Sequence, residues 1–81
     1  MRRLKLYGKP GCHLCAEARE AVRRALIDRE LALEEVDITL DPGLFARYRE
    51  RIPVLELDGE LLFELGVDEN ALQERLDKVT T

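Results

Sequence analysis

The sequence predicts one α/β domain over residues 1–81, built on a four-stranded mixed sheet with helices on both faces. Three observations carry this expectation. Apolar alternation of strand type leads directly into a long amphipathic helical pattern and then returns. An Asp58-Gly59 pair lies between two further apolar runs, a strong two-residue hairpin signal. A final helical pattern closes the chain. A domain of this length buries only about 60% of the surface its unfolded chain exposes, so its core is modest.

The elements follow in order. Leu4 and Leu6 alternate with charge and lead into Tyr7, a first strand. Gly8-Lys9-Pro10-Gly11 breaks it, since two glycines and a proline do not continue a central strand. Leu14, Ala18, Ala21, Val22, Ala25 and Leu26 then recur at helical spacing. Glu17, Arg19, Glu20, Arg23 and Arg24 fill the rest of the wheel. Leu31 to Ile38 reads as a second strand whose alternation slips between Leu33 and Val36, as a bulge or a late start would cause. Asp41-Pro42 starts a short helix, with an aspartate cap and proline at the first helical position. Its apolar side is Leu44, Phe45 and Tyr48. Val54–Leu57 and Glu60–Phe63 form the hairpin, and Asp68 caps a last helix that buries Leu72, Leu76 and Val79. The first strand-helix-strand unit is expected to be a right-handed parallel crossover.

Composition excludes several functions. The net charge of −4 provides no basic stripe, which argues against nucleic acid as a partner; Arg2 and Arg3 are too few to change this. Leu4-Lys5-Leu6 alternates instead of forming the apolar run of a signal peptide. No stretch approaches the roughly 20 apolar residues that span a bilayer. The expected address is the cytosol, with no membrane partner, and the expected state is a monomer. Arginine outnumbers lysine and Asn70 and Gln73 are the only side-chain amides, a pattern that suits ion-pair networks and heat tolerance.

The chemistry falls where the first strand gives way to the first helix. Cys12-His13-Leu14-Cys15 contains both cysteines of the chain. A thiolate is the nucleophilic form of cysteine, and a helix N-terminus favours it through free N–H groups and the helix dipole. Spacing of i and i+3 brings the two sulfurs within reach of a disulfide. So short a loop gains little entropic stabilisation from closure, so the bridge should be readily reduced. Cys12 is then the exposed attacker, and Cys15, one turn in and partly covered, resolves a mixed disulfide. Two other readings compete: small core cysteines, or half of a zinc site shared between chains, since one chain offers only two cysteines and a histidine. The rival function is a thiol or metal carrier that turns nothing over.

Tyr7-Gly8-Lys9-Pro10-Gly11-Cys12-His13-Leu14-Cys15, followed about 40 residues later by Ile52-Pro53-Val54, resembles the glutaredoxin branch of the thioredoxin-fold family. The likeness is greatest to a compact group of glutaredoxin-like proteins. It implies a thioredoxin-like three-layer sandwich and thiol-disulfide oxidoreductase activity, with Cys12 as nucleophile and Cys15 as resolving thiol. Pro53 matches the family's cis-proline beside the cysteines. Ile52 matches the residue whose free backbone groups pair with a bound peptide or glutathione like an added strand. Lys9 matches a lysine that supports the thiolate and contacts glutathione. No resident cofactor is implied; the partners are a protein or small-molecule disulfide and a thiol reductant, either glutathione or a thioredoxin-type system.

Other side chains around the motif keep two readings. Lys9 is alternatively an ordinary solvated charge, and His13 either tunes Cys12 as a neighbouring cation or is simply solvated. Arg47, Tyr48 and Arg51 either rim the substrate groove or, for the arginines, form the wet side of a short helix. The chain also departs from the family pattern. His13 stands where proline usually follows the first cysteine, and Arg51 replaces the usual threonine. Phe63 and Glu64 fall where paired glycines open the γ-glutamyl pocket, so glutathione is expected to bind weakly.

Overall fold

In a computed structural model, which describes residues 2–80, the chain runs β1 (Arg3–Gly8), α1 (His13–Ala25), β2 (Ala32–Asp37), a 3-10 turn (Ile38–Leu40), α2 (Pro42–Tyr48), β3 (Val54–Leu57), β4 (Glu60–Glu64) and α3 (Glu69–Thr80). The strands form one sheet in the order β2-β1-β3-β4. β1 and β2 are parallel, whereas β1–β3 and β3–β4 are antiparallel. The expected α/β architecture is therefore present, with β1 and β3 at its centre.

Strand periodicity divides the apolar residues between two clusters. Leu4 and Leu6 of β1 join Leu55 and Leu57 of β3 on one face, where Ala18, Val22 and Ala25 of α1 and Leu72 and Leu76 of α3 cover them. Each leucine fully buried there contributes about 1.5–3 kcal/mol. The opposite face carries a smaller cluster of Tyr7, Cys15, Ile38, Tyr48, Ile52 and Val54, with Leu44 of α2 packed against it. Helices thus lie on both faces.

Local signals hold at three starts. Asp41 Oδ1 accepts from the N–H groups of Gly43 and Leu44 at 2.8 and 3.2 Å, capping α2 in front of Pro42. Asp68 Oδ1 accepts from Ala71 N–H at 3.2 Å and caps α3. Asp58 and Gly59 have φ of 49° and 88°, the doubly positive geometry of a type I′ hairpin turn.

Two details differ from expectation. β2 starts at Ala32 and stops at Asp37, because Ile38 leaves the strand to be buried in the 3-10 turn. Its slip in alternation is not a bulge, since β1–β2 register runs unbroken from Arg3↔Ala32 to Gly8↔Asp37. Glu34 and Glu35 occupy opposite faces of an edge strand, and arginines meet both: Arg3 on Glu34, and Arg19 and Arg23 on Glu35. The irregularity lies in the hairpin instead, where Leu55 pairs with Phe63 but Glu56 pairs with Leu61. Leu62 is the extra residue, and both it and Phe63 pack against the main cluster.

Candidate functional site

The site forms where the ends of β1 and β3 meet at the start of α1. Cys12 is the N-cap of α1, with extended backbone (φ −83°, ψ 113°), and its Sγ accepts the Cys15 N–H at 3.2 Å. The capping atom, usually a hydroxyl or carboxylate oxygen, is here the sulfur. Cys12 N–H in turn donates to the Lys9 carbonyl at 3.3 Å, which closes the loop between strand and helix. Cys12 and Cys15 face each other as a disulfide pair with Cα atoms 5.2 Å apart. Cys12 is half-buried, and Cys15 is 4% exposed within the smaller cluster.

Register places the proline loop beside this pair. Tyr7 pairs with Val54, so the next positions outward along antiparallel β1 and β3 are Gly8 and Pro53. Pro53 is fully buried, and Ile52-Pro53 is a cis peptide. Proline brings no N–H, so the β1–β3 ladder ends where the cysteine loop begins. Ile52 and Val54 share the cluster that holds Cys15 and contacts Cys12. The structure thus brings Cys12, Cys15, Ile52 and Pro53 together.

One expectation about Ile52 is corrected. Its N–H is not free but donates to the Tyr48 carbonyl at 3.1 Å, because a helical turn runs on past α2 and takes it. The same carbonyl accepts Arg51 N–H at 2.8 Å. The Ile52 carbonyl has no backbone partner among the described residues.

The remaining candidates separate. Lys9 is exposed and lines a groove of about 320 Å³ with Leu6, Gly8, Cys15, Arg19 and Glu35, on the β2 side of the cysteine pair. His13 projects into solvent, with Nε2 3.4 Å from Glu17, one turn along α1. Arg47 and Arg51 stack on the Tyr48 ring at 5.6 and 5.2 Å, and Arg51 also pairs with Glu64. Phe63, next to the β4 irregularity, packs against the main cluster, and Glu64 pairs with Arg51. Among the described residues, no group of three or more His, Cys, Asp and Glu side chains is placed to hold a metal ion.

Sequence reasoning misses two residues. Gly8 reads as a strand breaker, yet a Cβ there would lie 3.0 Å from Cys15 Sγ. The one hint is its place between an apolar strand and a cysteine motif. Glu56 has no role in the sequence reading beyond its place in the Val54–Leu57 arm of the hairpin, yet it is half-buried and accepts from both Tyr7 and Tyr48 hydroxyls at 3.0 Å. Burial first, then the hydrogen bond and charge of Glu56, pushes the Tyr7 hydroxyl up to about 12. Tyr48 is raised for the same reasons, against the opposing pull of Arg47 and Arg51.

A four-stranded mixed sheet with a cysteine pair at the first helix start and a cis-proline beside it defines a thioredoxin-fold dithiol protein. Solved structures agree. A structural-genomics target from X. campestris, XcR50, is 37% identical, covering 93% of this chain and 96% of its own, with a TM-score of 0.78. A mutant thioredoxin from Halobacterium salinarum is 25% identical over 99% of this chain and 75% of its own, with a TM-score of 0.73. The family described as glutaredoxin-like domain (DUF836) matches residues 3–77, and the chain belongs to that family. A Dictyostelium discoideum relative, described as a glutaredoxin-like protein YDR286C homolog, is 26% identical over 94% of this chain and 76% of its own length.

Proposed function

We propose that the chain is a cytosolic thiol-disulfide oxidoreductase in which Cys12 attacks a substrate disulfide and Cys15 resolves the product. One observation carries this reading: the sulfur of half-buried Cys12 caps α1 and accepts the Cys15 N–H, with the Cys15 side chain buried beside it. Such a position favours thiolate at the outer cysteine, because a hydrogen bond to a charged acceptor is stronger than one to a neutral thiol.

The cycle balances without a resident cofactor. Cys12 thiolate forms a bond to one substrate sulfur, and the other substrate sulfur leaves as thiolate and takes a proton. Cys15, once deprotonated, attacks the Cys12 sulfur, closes Cys12–Cys15 and releases the second substrate thiol. Two electrons pass from the dithiol to the substrate. Two equivalents of a cellular thiol, or one dithiol, then reopen the bridge by the reverse exchange: the first sulfur forms a mixed disulfide, the second displaces it, and the pair leaves as a disulfide.

The neighbours take supporting roles. The Ile52 carbonyl accepts a backbone N–H from an extended segment of the substrate, which gives affinity without demanding one side chain. Pro53, fully buried, ends the β1–β3 ladder and backs the cysteine loop from within. Lys9 adds positive charge on the Cys15 side.

The test is exchange by metal-free, reduced protein on a disulfide-bridged peptide. Cys12→Ser should abolish both exchange and iodoacetamide labelling near neutral pH. Cys15→Ser should stay reactive and accumulate a mixed disulfide at Cys12. Equal labelling of both thiols in the native reduced protein, or metal-free protein that fails to exchange, would overturn the reading and favour a carrier.

A further inference from the structure

Glu56 links three segments far apart in sequence. Its Oε1 accepts from the Tyr7 hydroxyl and its Oε2 from the Tyr48 hydroxyl, both at 3.0 Å, and the two rings stand 4.8 Å apart. Tyr7 lies on β1 immediately before Gly8, which abuts Cys15. Tyr48 ends α2, and its carbonyl holds the N–H of both Arg51 and Ile52. A continuous path therefore runs from the resolving cysteine through Tyr7, Glu56 and Tyr48 to the residue before the cis-proline.

We propose that Glu56 is a positioning residue: by receiving both tyrosine hydroxyls it locks the Ile52-Pro53 loop at the distance from the cysteine pair that substrate docking requires. The proposal rests on the dithiol-exchange reading above. A carboxylate suits the task because it is acceptor-only with two oxygens, so both phenols must donate and neither ring can turn away. No salt bridge to Glu56 forms among the described residues: Lys5 faces it across the β1–β3 register without bridging it, and Arg51, which feels its charge, bridges Glu64 and stacks with Arg47 on Tyr48. The raised tyrosines are consistent with phenols held as donors against a carboxylate. In a part-buried network of this kind the bonds reinforce one another, and loosening one member loosens the loop it holds.

The test separates positioning from bulk stability. Steady-state exchange on a disulfide-bridged peptide is measured for wild type, Glu56→Ala, Glu56→Gln, Tyr48→Phe and Arg29→Ala. The last breaks a network at the opposite end of α1 and serves as a stability-matched control. Glu56→Ala and Tyr48→Phe should raise KM roughly tenfold with a smaller change in kcat. The pH midpoint of Cys12 alkylation should not move. Glu56→Gln, whose amide accepts from one phenol and donates to the other, should restore KM to within about twofold. Arg29→Ala should lower the melting temperature without altering KM. An unchanged KM in Tyr48→Phe, which keeps the buried ring and folds even if Glu56→Ala does not, would overturn the proposal. Absence of exchange in wild type would instead overturn the reading on which it rests.

Discussion

Alanine in place of Gly8 sets a methyl carbon 3.0 Å from Cys15 Sγ and 3.1 Å from Cys15 Cβ. Favourable contacts between carbon atoms lie near ~3.5–4.0 Å, so either Cys15 or the end of β1 must yield by about half an ångström. Neither yields freely. Gly8 is paired with Asp37 in the sheet, and Cys15 is buried with its N–H on the Cys12 sulfur. Overpacking of this size costs about 1–3 kcal/mol. Alanine returns up to about 1 kcal/mol by reducing the freedom of the unfolded chain. The net loss should be roughly 1–2 kcal/mol, or about 6–12 °C in melting temperature for a chain of this length. The larger effect should be chemical, because the displaced sulfur is the one that must reach Cys12. Thermal unfolding, with acid-quenched mass spectrometry of the mixed disulfide, should show lower stability and a longer-lived Cys12 adduct in Gly8→Ala. Unchanged melting and an unchanged adduct lifetime would refute the claim that this close approach places the resolving thiol.

Four further outcomes are expected. The Tyr7 hydroxyl is raised from 10.0 to about 12, so its contribution is complete below pH 10 and is lost as pH climbs through about 12. Two units correspond to about 2.7 kcal/mol. The hydroxyl end is only part-buried, which reduces this to roughly 1–2 kcal/mol. Melting curves of wild type and Tyr7→Phe should therefore converge over that window, and parallel curves would contradict the assignment. Arg29 donates to the Ala25 carbonyl, Gln73 and Asp77 at 3.0, 2.9 and 2.6 Å, so Arg29→Ala should lose about 1–2 kcal/mol in urea unfolding. In the reduced protein, Cys12→Ser keeps a capping atom and Cys12→Ala does not; the alanine variant should be about 1 kcal/mol less stable by the same measurement, although neither exchanges disulfides. Reduced glutathione titrated into Cys15→Ser should shift amides weakly and without micromolar saturation, since Glu17, Glu20 and Glu69 line the surface pocket that includes Gly66 and disfavour its carboxylates. Saturable micromolar binding centred on Gly66–Asp68 would show otherwise.

What was legible in the sequence was local. The Asp41 and Asp68 caps, the Asp58-Gly59 turn and the α1 stripe depend on residues within one or two turns of each other, and all appear except that Leu14, at the start of the stripe, is exposed. The cysteine pair at a helix start belongs to this class, because a cap needs only its own first turn. The slip in β2 was visible but ambiguous: consecutive glutamates on an edge strand look like a bulge until the arginines of β1 and α1 are known to reach both faces. The true irregularity, Leu62 in β4, leaves no mark in a run of apolar residues. It nevertheless sets which way the following residue packs, and Phe63 joins the main cluster. Gly8 and Glu56 were illegible for a related reason. Each acts on a residue in a different element, and no local pattern encodes that meeting.

The non-local part of the site is nevertheless tied to the core by register. Leu4↔Leu57 and Leu6↔Leu55 place four leucines on one face of the central strand pair, under α1 and α3. A slip of one residue would turn Leu55 and Leu57 outward and bring Glu56 into the apolar cluster. That cost holds Tyr7 opposite Val54, and so holds Pro53 across from Gly8 at the mouth of the cysteine loop. The same alternation sends Tyr7, Val54 and Glu56 to the other face, where the smaller cluster receives Cys15. Loosening the leucine layer should therefore impair substrate docking before it unfolds the chain, because the groove has no separate scaffold. Leu55→Ala tests this: it should cost about 2–5 kcal/mol and raise KM for a disulfide-bridged peptide at temperatures where the chain remains folded. A variant that loses stability to that extent yet keeps its KM would mean that the cysteine loop and the proline loop are held by the smaller cluster alone.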